Sequence, residues 1–367
     1  MRPTLIMKPI GNSCNLCCKY CYNNPVRDKA PLQVMTQAVF RHIVEQFSQQ
    51  DIPFLRFIWH GGEPVLAGLP FYHMVLAEQE YLRQRNIHVE NSIQTNATLL
   101  TQEWVAFFQE NNFRPSVSLD GPPSVHNANR VDCAGRGSYD LTWSGIQLLL
   151  DNEVPFGISA VVTKASLHDP LATYHYFRES GVTQLDLAPC AEIDHNGKFF
   201  PFSVEPNEYA EFMSTIFDTW FEADDPNFRI RRFSEMIQGI IAGTQLLCTF
   251  LSECYEFLAI DWNGDMFLCG RFMGTDDMLL GNLMRTPLPE ILASTKYQTL
   301  KQKISAQKPE CVGCEWKEIC NGGCTYYRYL LTGKVDGPSY FCSAYKALFT
   351  HISETIRPLM AQTQNGS

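Results

Sequence analysis

Six short apolar segments alternate with longer stretches of helical period over the first half of the chain, and that alternation limits the fold more than any other feature. Strand-length runs occupy residues 4–10 (TLIMKPI), 54–60 (FLRFIWH), 88–96, 114–120, 155–163 and 184–190. Helical patterning fills 35–50, 101–112 and 138–152. Repeated strand–helix units predict an α/β fold with parallel strands, because each helical crossover returns the chain to the same sheet direction. The residues with chemical character follow the strands directly: CNLCCKYC after the first, GGEP after the second, QTNATL after the third and DGP after the fourth. Sites assembled at the C-terminal ends of several strands are typical of barrels. The expected fold is therefore a partial (β/α)6 TIM-like barrel over residues 1–225.

Beyond it the patterning predicts a linking helix at 226–247, a compact Gly- and Cys-rich domain at 248–350, and a C-terminal helix with a frayed tail at 351–367. A net charge of −10 gives no basic face for a nucleic-acid partner. No run approaches the roughly 18 apolar residues that span a bilayer, and the first 14 residues lack the apolar length of a secretory signal. These features predict a cytoplasmic protein without nucleic-acid or membrane partners. In that reducing setting the 14 cysteines are expected as metal ligands or reactive thiols rather than a disulfide framework.

Cys14, Cys18 and Cys21 have C-x3-C-x2-C spacing on the loop after the first strand. Three thiolates there can cap three corners of an iron–sulfur cube, which normally takes four cysteines, and so leave one iron open to a small molecule. A zinc site is the alternative, but zinc would want a fourth ligand nearby, and the nearest histidine falls in a predicted helix. With Tyr20 before the last cysteine, this motif resembles that of the radical S-adenosylmethionine (SAM) superfamily. The resemblance implies that the open iron binds SAM and that an electron from the cluster splits it, giving a radical that removes hydrogen from an unactivated carbon. Gly61, Gly62, Glu63 and Pro64 are similar to the family loop in which glycines let the backbone approach the SAM amino group. Residues 116–140 (SVSLDGPPSVHNANRVDCAGRGSYD) resemble a segment of the SPASM subgroup. That likeness implies contacts with the SAM carboxylate for Ser118 and Arg130, the guanidinium being suited to a carboxylate; Asp120 in the same segment and Tyr20 in the cysteine motif are further expected cofactor contacts. Gln94 and Asn96 are read as lining the same cavity.

The remaining cysteines read C-x5-C-x9-G-x4-C (Cys248, Cys254, Gly264, Cys269), then C-x2-C-x5-C-x3-C (Cys311, Cys314, Cys320, Cys324), then Cys342. Eight thiols suffice for two four-iron clusters or for two zinc sites. Their order resembles the SPASM domain. The resemblance implies one auxiliary cluster on Cys248, Cys254, Cys269 and Cys324, another on Cys311, Cys314, Cys320 and Cys342, and three [4Fe-4S] clusters with SAM in all. Cys17, Cys133 and Cys190 are left as structural or incidental.

SPASM enzymes mostly act on peptides and proteins. The chain is similar to the anaerobic sulfatase-maturating branch, which oxidises Cys or Ser to formylglycine, in SLDGPPSVHNANR. It departs where that branch carries a basic Asp after the third SPASM cysteine, here Gly270, and a Gln before GGEP, here His60. Loss of a general base typically costs roughly 10²–10⁴ in rate. The sequence thus favours a maturase of ribosomally made precursor peptides that links an aromatic ring to a neighbouring Cβ, a cyclophane, over formylglycine formation. His60, Tyr22 and Glu235 are the candidates for proton handling. The implied partners are a precursor peptide or protein substrate and a flavodoxin or ferredoxin as electron donor. A non-catalytic electron-transfer protein is a third reading, disfavoured by the open iron.

Overall fold

The computed structural model describes residues 3–22 and 32–365. They belong to two compact units, the first made of residues 1–119, 126–158 and 253–302, the second of 120–125, 159–252 and 303–367. The strands are β1 (Thr4–Lys8), β2 (Phe54–Trp59), β3 (His88–Thr95), β4 (Arg114–Ser118), β5 (Gly157–Val162), β6 (Gln184–Pro189), β7 (Arg229–Ile230), β8 (Phe257–Asp261), β9 (Asp265–Phe267) and β10 (Leu279–Asn282). Each of the six expected strands is present, with shortened ends.

In the first unit β1, β2, β3 and β4 pair in that order, all parallel. Helices Gln37–Ser48, Leu69–Arg83, Gln102–Asn111 and Tyr139–Asp151 accompany them. The first begins where Thr36 Oγ1 accepts the Val39 N–H at 3.3 Å, the usual way of satisfying an orphan donor at a helix start. Trp59 is fully buried among Phe40, Phe57, Phe71 and Tyr72. Its indole N–H donates to Asn91 Oδ1 at 2.9 Å, and Asn91 and Gln79 exchange two further hydrogen bonds. That closed polar network ties the Leu69–Arg83 helix to β2 and β3 without leaving a buried amide unsatisfied.

Residues 253–302 belong to the first unit, where β8 pairs parallel with β1 and puts Asp261 opposite Lys8. The apolar run FLAID extends the sheet past β1 and satisfies backbone groups that an open edge would expose. Antiparallel β9 and β10 continue outward from it.

In the second unit β5, β6 and β7 lie side by side, with β6 and β7 parallel. Helices Pro206–Ala223, Arg231–Ala242, Thr325–Thr332 and Cys342–Asn365 pack here. The end of β6 is a hydrogen-bonding centre. The Leu187 carbonyl accepts from Tyr209 Oη at 2.8 Å and from buried Arg232 Nε at 3.0 Å, and the Pro189 carbonyl accepts from Tyr327 Oη. The last helix continues through residues 361–365, which the sequence reading assigned to a frayed tail; residues 366 and 367 lie outside the described residues. Among the described residues no helix is long and apolar enough to cross a membrane.

Candidate active site

The loop that leaves β1 carries Cys14, Cys18 and Cys21 and is fastened on both sides. Toward β3, Asn96 Nδ2 donates to Asn15 Oδ1 at 2.9 Å, and Asn15 Nδ2 donates to Thr98 Oγ1 at 2.8 Å. On the other side the Cys17 N–H donates to the Val131 carbonyl at 2.7 Å and the Lys19 N–H to the Asn129 carbonyl at 2.9 Å. Cys14 Sγ accepts the Leu16 N–H at 3.3 Å and lies 3.9 Å from both Asn96 Nδ2 and Asn15 Oδ1. The Arg130 guanidinium stands 5.3 Å from the centre of the buried Tyr20 ring.

The GGEP loop after β2 docks directly on this cysteine loop. The Gly62 N–H donates to the Gly11 carbonyl at 3.0 Å and the Glu63 N–H to the Ser13 carbonyl at 2.9 Å. A Cβ on Gly62 would lie 1.7 Å from the Ser13 carbonyl oxygen, and Gly61 has φ +111°. The close approach these glycines permit in this chain is thus to residues 11–13, a use the sequence reading did not anticipate. Buried Glu63 completes the joint. Its Oε1 accepts from Thr95 Oγ1 at 2.7 Å and from the Val65 N–H at 3.2 Å, while Oε2 accepts the Asn96 N–H at 2.7 Å. Burial raises the Glu63 pKa to about 7 against the opposing pull of those hydrogen bonds. Pro64 opens a short 3-10 turn and its carbonyl accepts from Tyr72 Oη at 3.0 Å. Gln94 and Ser118, on neighbouring strands, are joined at 2.9 Å.

Behind the cysteine loop sits a cation that sequence reasoning missed. Lys8 is 0% exposed, and a lone lysine inside the apolar run TLIMKPI was the available signal. Burial lowers its pKa to about 8, resisted by the charges of Asp261, Cys21 and Cys269. Two cations lie over the Tyr22 ring, Lys8 Nζ at 5.6 Å and Arg271 at 5.7 Å from its centroid. Burial and then the Lys8 charge push the His60 pKa down to about 4, and His60 Nδ1 accepts the Gly61 N–H at 2.7 Å. The Gly61 hydrogen bond engages Nδ1 as an acceptor, which favours the Nε2–H tautomer of the neutral ring. Gly270 packs on Ile6, with a Cβ there falling 3.2 Å from Ile6 Cγ2.

The other expected residues are divided between the units. Cys254 and Cys269 belong to the first, together with every residue named in the preceding three paragraphs. Asp120, Glu235, Cys248 and Cys324 belong to the second, as do Cys311, Cys314, Cys320 and Cys342. Asp120 accepts the Val161 N–H at 3.0 Å, and Glu235 Oε1 accepts from Arg229 at 2.9 Å. The last four cysteines feel one another: burial raises the thiols of Cys311 and Cys320, the latter to about 12, and the charge of Cys342 is the next cause for both. Arg328, fully buried, donates to the carbonyls of Asn321, Gly322 and Gly323 at 2.5, 3.0 and 2.7 Å and so shapes the turn between Cys320 and Cys324. Four soft donors held as neighbours fit an iron–sulfur cluster. Among the described residues no group of three His, Cys, Asp or Glu side chains is placed to hold a metal ion. Of the three unassigned cysteines, Cys190 is buried, while Cys17 and Cys133 form a disulfide that the sequence reading did not expect.

Three cysteines on one loop at the C-terminal end of a parallel strand are a donor set that fits an iron–sulfur cluster. The Radical SAM superfamily model matches residues 9–177 and the SPASM iron–sulfur cluster-binding domain matches 248–315. The chain belongs to the radical SAM superfamily and is a SPASM-bearing enzyme of it. It is 31% identical to the serine-type anaerobic sulfatase-maturating enzyme of Bacteroides thetaiotaomicron, over 96% of this chain and 90% of the relative. It is 29% identical to a cysteine-type counterpart from Clostridium perfringens, over 95% of each. The solved structure of native anSMEcpe with bound AdoMet and Cp18Cys peptide superposes with a TM-score of 0.87 at 27% identity, over 99% of both chains. Streptococcus suis SuiB bound to S-adenosylmethionine shares the fold, at TM-score 0.66 and 16% identity, over 92% of this chain and 76% of that one.

Two substitutions test the joint. Gly62→Ala forces its methyl into the Ser13 backbone and is expected to cost about 2–4 kcal/mol and to lower the iron retained after reconstitution. Glu63→Gln keeps the shape but leaves three donors facing an amide with one acceptor, at an expected cost of about 1–3 kcal/mol. Denaturant unfolding of the reconstituted protein measures both.

Proposed function

We propose that this enzyme oxidises a side chain of a peptide or protein, and that the reaction is the formylglycine-forming dehydrogenation of a Cys or Ser. The observation that carries the reading is likeness over almost the full length, at 27–31% identity, to sulfatase-maturating enzymes of both the serine and the cysteine type. The proposed site holds SAM and one cluster on Cys14, Cys18 and Cys21, with auxiliary clusters on Cys248, Cys254, Cys269 and Cys324 and on Cys311, Cys314, Cys320 and Cys342. Bound SAM and the reduced cluster would supply a carbon radical able to take a hydrogen atom from an unactivated carbon. The chain's own residues do the rest. Arg130 and Ser118 receive the SAM carboxylate, while the GGEP loop, locked by Glu63, fixes the cysteine loop against β3. Asn96 directs an amide donor at Cys14, and Gln94 holds Ser118 in place. Lys8 keeps a buried positive charge within reach of Cys21 and Cys269, where it would offset the negative charge of bound clusters. The partners implied are a peptide substrate and a small flavodoxin or ferredoxin as reductant, in the cytoplasm.

A second reading keeps the ring-to-Cβ cross-link that the sequence favoured. Its support is Gly270: at the position of the relatives' expected base this chain has no side chain, and Ile6 packs where the Cβ would be. His60, with a pKa near 4, is a poor substitute base at neutral pH.

The test is anaerobic turnover of reconstituted enzyme with SAM and dithionite. One peptide carries a sulfatase-type Ser or Cys; another carries an aromatic residue beside the residue to be modified. The expected result is an aldehyde on the first, captured by a hydrazide, with 5′-deoxyadenosine formed in step. Loss of two hydrogens from the second with no aldehyde on the first would replace this reading with the cross-link. Cys14→Ala is expected to reduce SAM cleavage to background; retained cleavage would overturn the cluster assignment itself.

A further inference from the structure

Cys17 lies between Cys14 and Cys18 but has no part in the cluster, and it is bonded to Cys133, 116 residues later, with Cα atoms 4.9 Å apart. The pairing does not rely on the sulfur bond alone. The cysteine loop already runs beside residues 128–131 through two backbone hydrogen bonds, Cys17 N–H to Val131 O at 2.7 Å and Lys19 N–H to Asn129 O at 2.9 Å, and one from the Lys19 side chain, Nζ to Ala128 O at 2.7 Å. Reduced, the two thiols therefore remain neighbours. Cys133 is exposed and Cys17 half-buried, so small oxidants and reductants reach the pair. Cys133 sits on a turn closed by the Val131–Gly137 bridge and by Asp132 Oδ1, which accepts the N–H groups of Ala134 and Arg136, each at 2.9 Å. The turn is built to present it in place.

We propose that Cys17 and Cys133 are a reversible thiol modification site that an oxidising hydroperoxide closes, tying the cluster-bearing loop to the segment that carries Arg130. In the closing step the Cys17 thiolate attacks the hydroperoxide, giving a sulfenic acid and releasing water or an alcohol. The Cys133 thiolate then displaces water, so that two thiols lose two electrons and two protons to the oxidant. A dithiol reductant reverses it by exchange. The bond has a specific protective consequence. When oxidant strips the cluster, Cys17 is the thiol best placed to mispair with Cys14 or Cys18. Captured by Cys133, it leaves the three cluster cysteines free to be reloaded. None of this depends on which peptide the enzyme oxidises.

The experiment treats the reconstituted holoenzyme anaerobically with hydrogen peroxide, blocks free thiols by alkylation, and maps the digest by mass spectrometry before and after a dithiol. The expected map contains a Cys17–Cys133 linked peptide that the dithiol removes, with Cys14, Cys18 and Cys21 alkylated. In Cys133→Ser the same treatment is expected to pair Cys17 within its own loop. Iron regained on reloading without thiol reductant is then expected to fall severalfold against wild type. Free, alkylated Cys17 in oxidised wild type, or Cys17 joined to Cys14, Cys18 or Cys21, overturns the proposal. So does a Cys133→Ser enzyme that reloads as fully as wild type. The wild-type map decides if that variant fails to fold.

Discussion

The joint between the two loops that follow β1 and β2 is the constraint on which the site depends. A cluster loop of eight residues with three thiolates cannot hold its own shape, since thiolates repel and the backbone has few partners of its own. Here the neighbouring loop supplies two N–H donors to the Gly11 and Ser13 carbonyls, at a distance only glycine at 62 allows. Glu63 then binds the pair to the end of β3 with two hydrogen bonds, from Thr95 Oγ1 and the Asn96 N–H, and caps its own loop by accepting the Val65 N–H, all in a buried setting. Removing any of these contacts loosens the position of Cys14 before it touches any chemistry.

Around that joint the charges are distributed with an evident logic. An iron–sulfur cluster with thiolate ligands carries net negative charge, and Lys8 is buried where the charges of Cys21 and Cys269 both reach it. Arg271 lies 5.7 Å from the centre of the same Tyr22 ring. A buried lysine is costly alone, and the charges of Asp261, Cys21 and Cys269 offset part of that cost. Burial first, and the same cation second, push the His60 pKa down to about 4.

Much of this was legible in the residues. Strand periodicity gave β1 to β6 and the flanking helices, and the cysteine spacing gave both sulfur-rich regions. Three features were not legible, each for a physical reason. The parallel pairing of β8 with β1 is a long-range contact, and a five-residue apolar run does not announce its neighbour. The glycines of GGEP were visible, but what they approach is decided by the path of residues 11–13. The Cys17–Cys133 pair joins positions far apart in the chain, and spacing cannot reveal a partner across such a gap. Gly270 was legible as a missing base. Its packing on Ile6, which restricts what could stand there, was not.

The account holds that this scaffold directs a carbon radical at one side-chain carbon of a bound peptide. The most direct measurement is isotope transfer. A substrate peptide is deuterated at the β-carbon of its target residue, incubated with enzyme, SAM and reductant, and the 5′-deoxyadenosine is weighed by mass spectrometry. Deuterium in 5′-deoxyadenosine, in step with peptide oxidation, is the predicted result. Oxidised peptide accompanied by 5′-deoxyadenosine free of deuterium would contradict it.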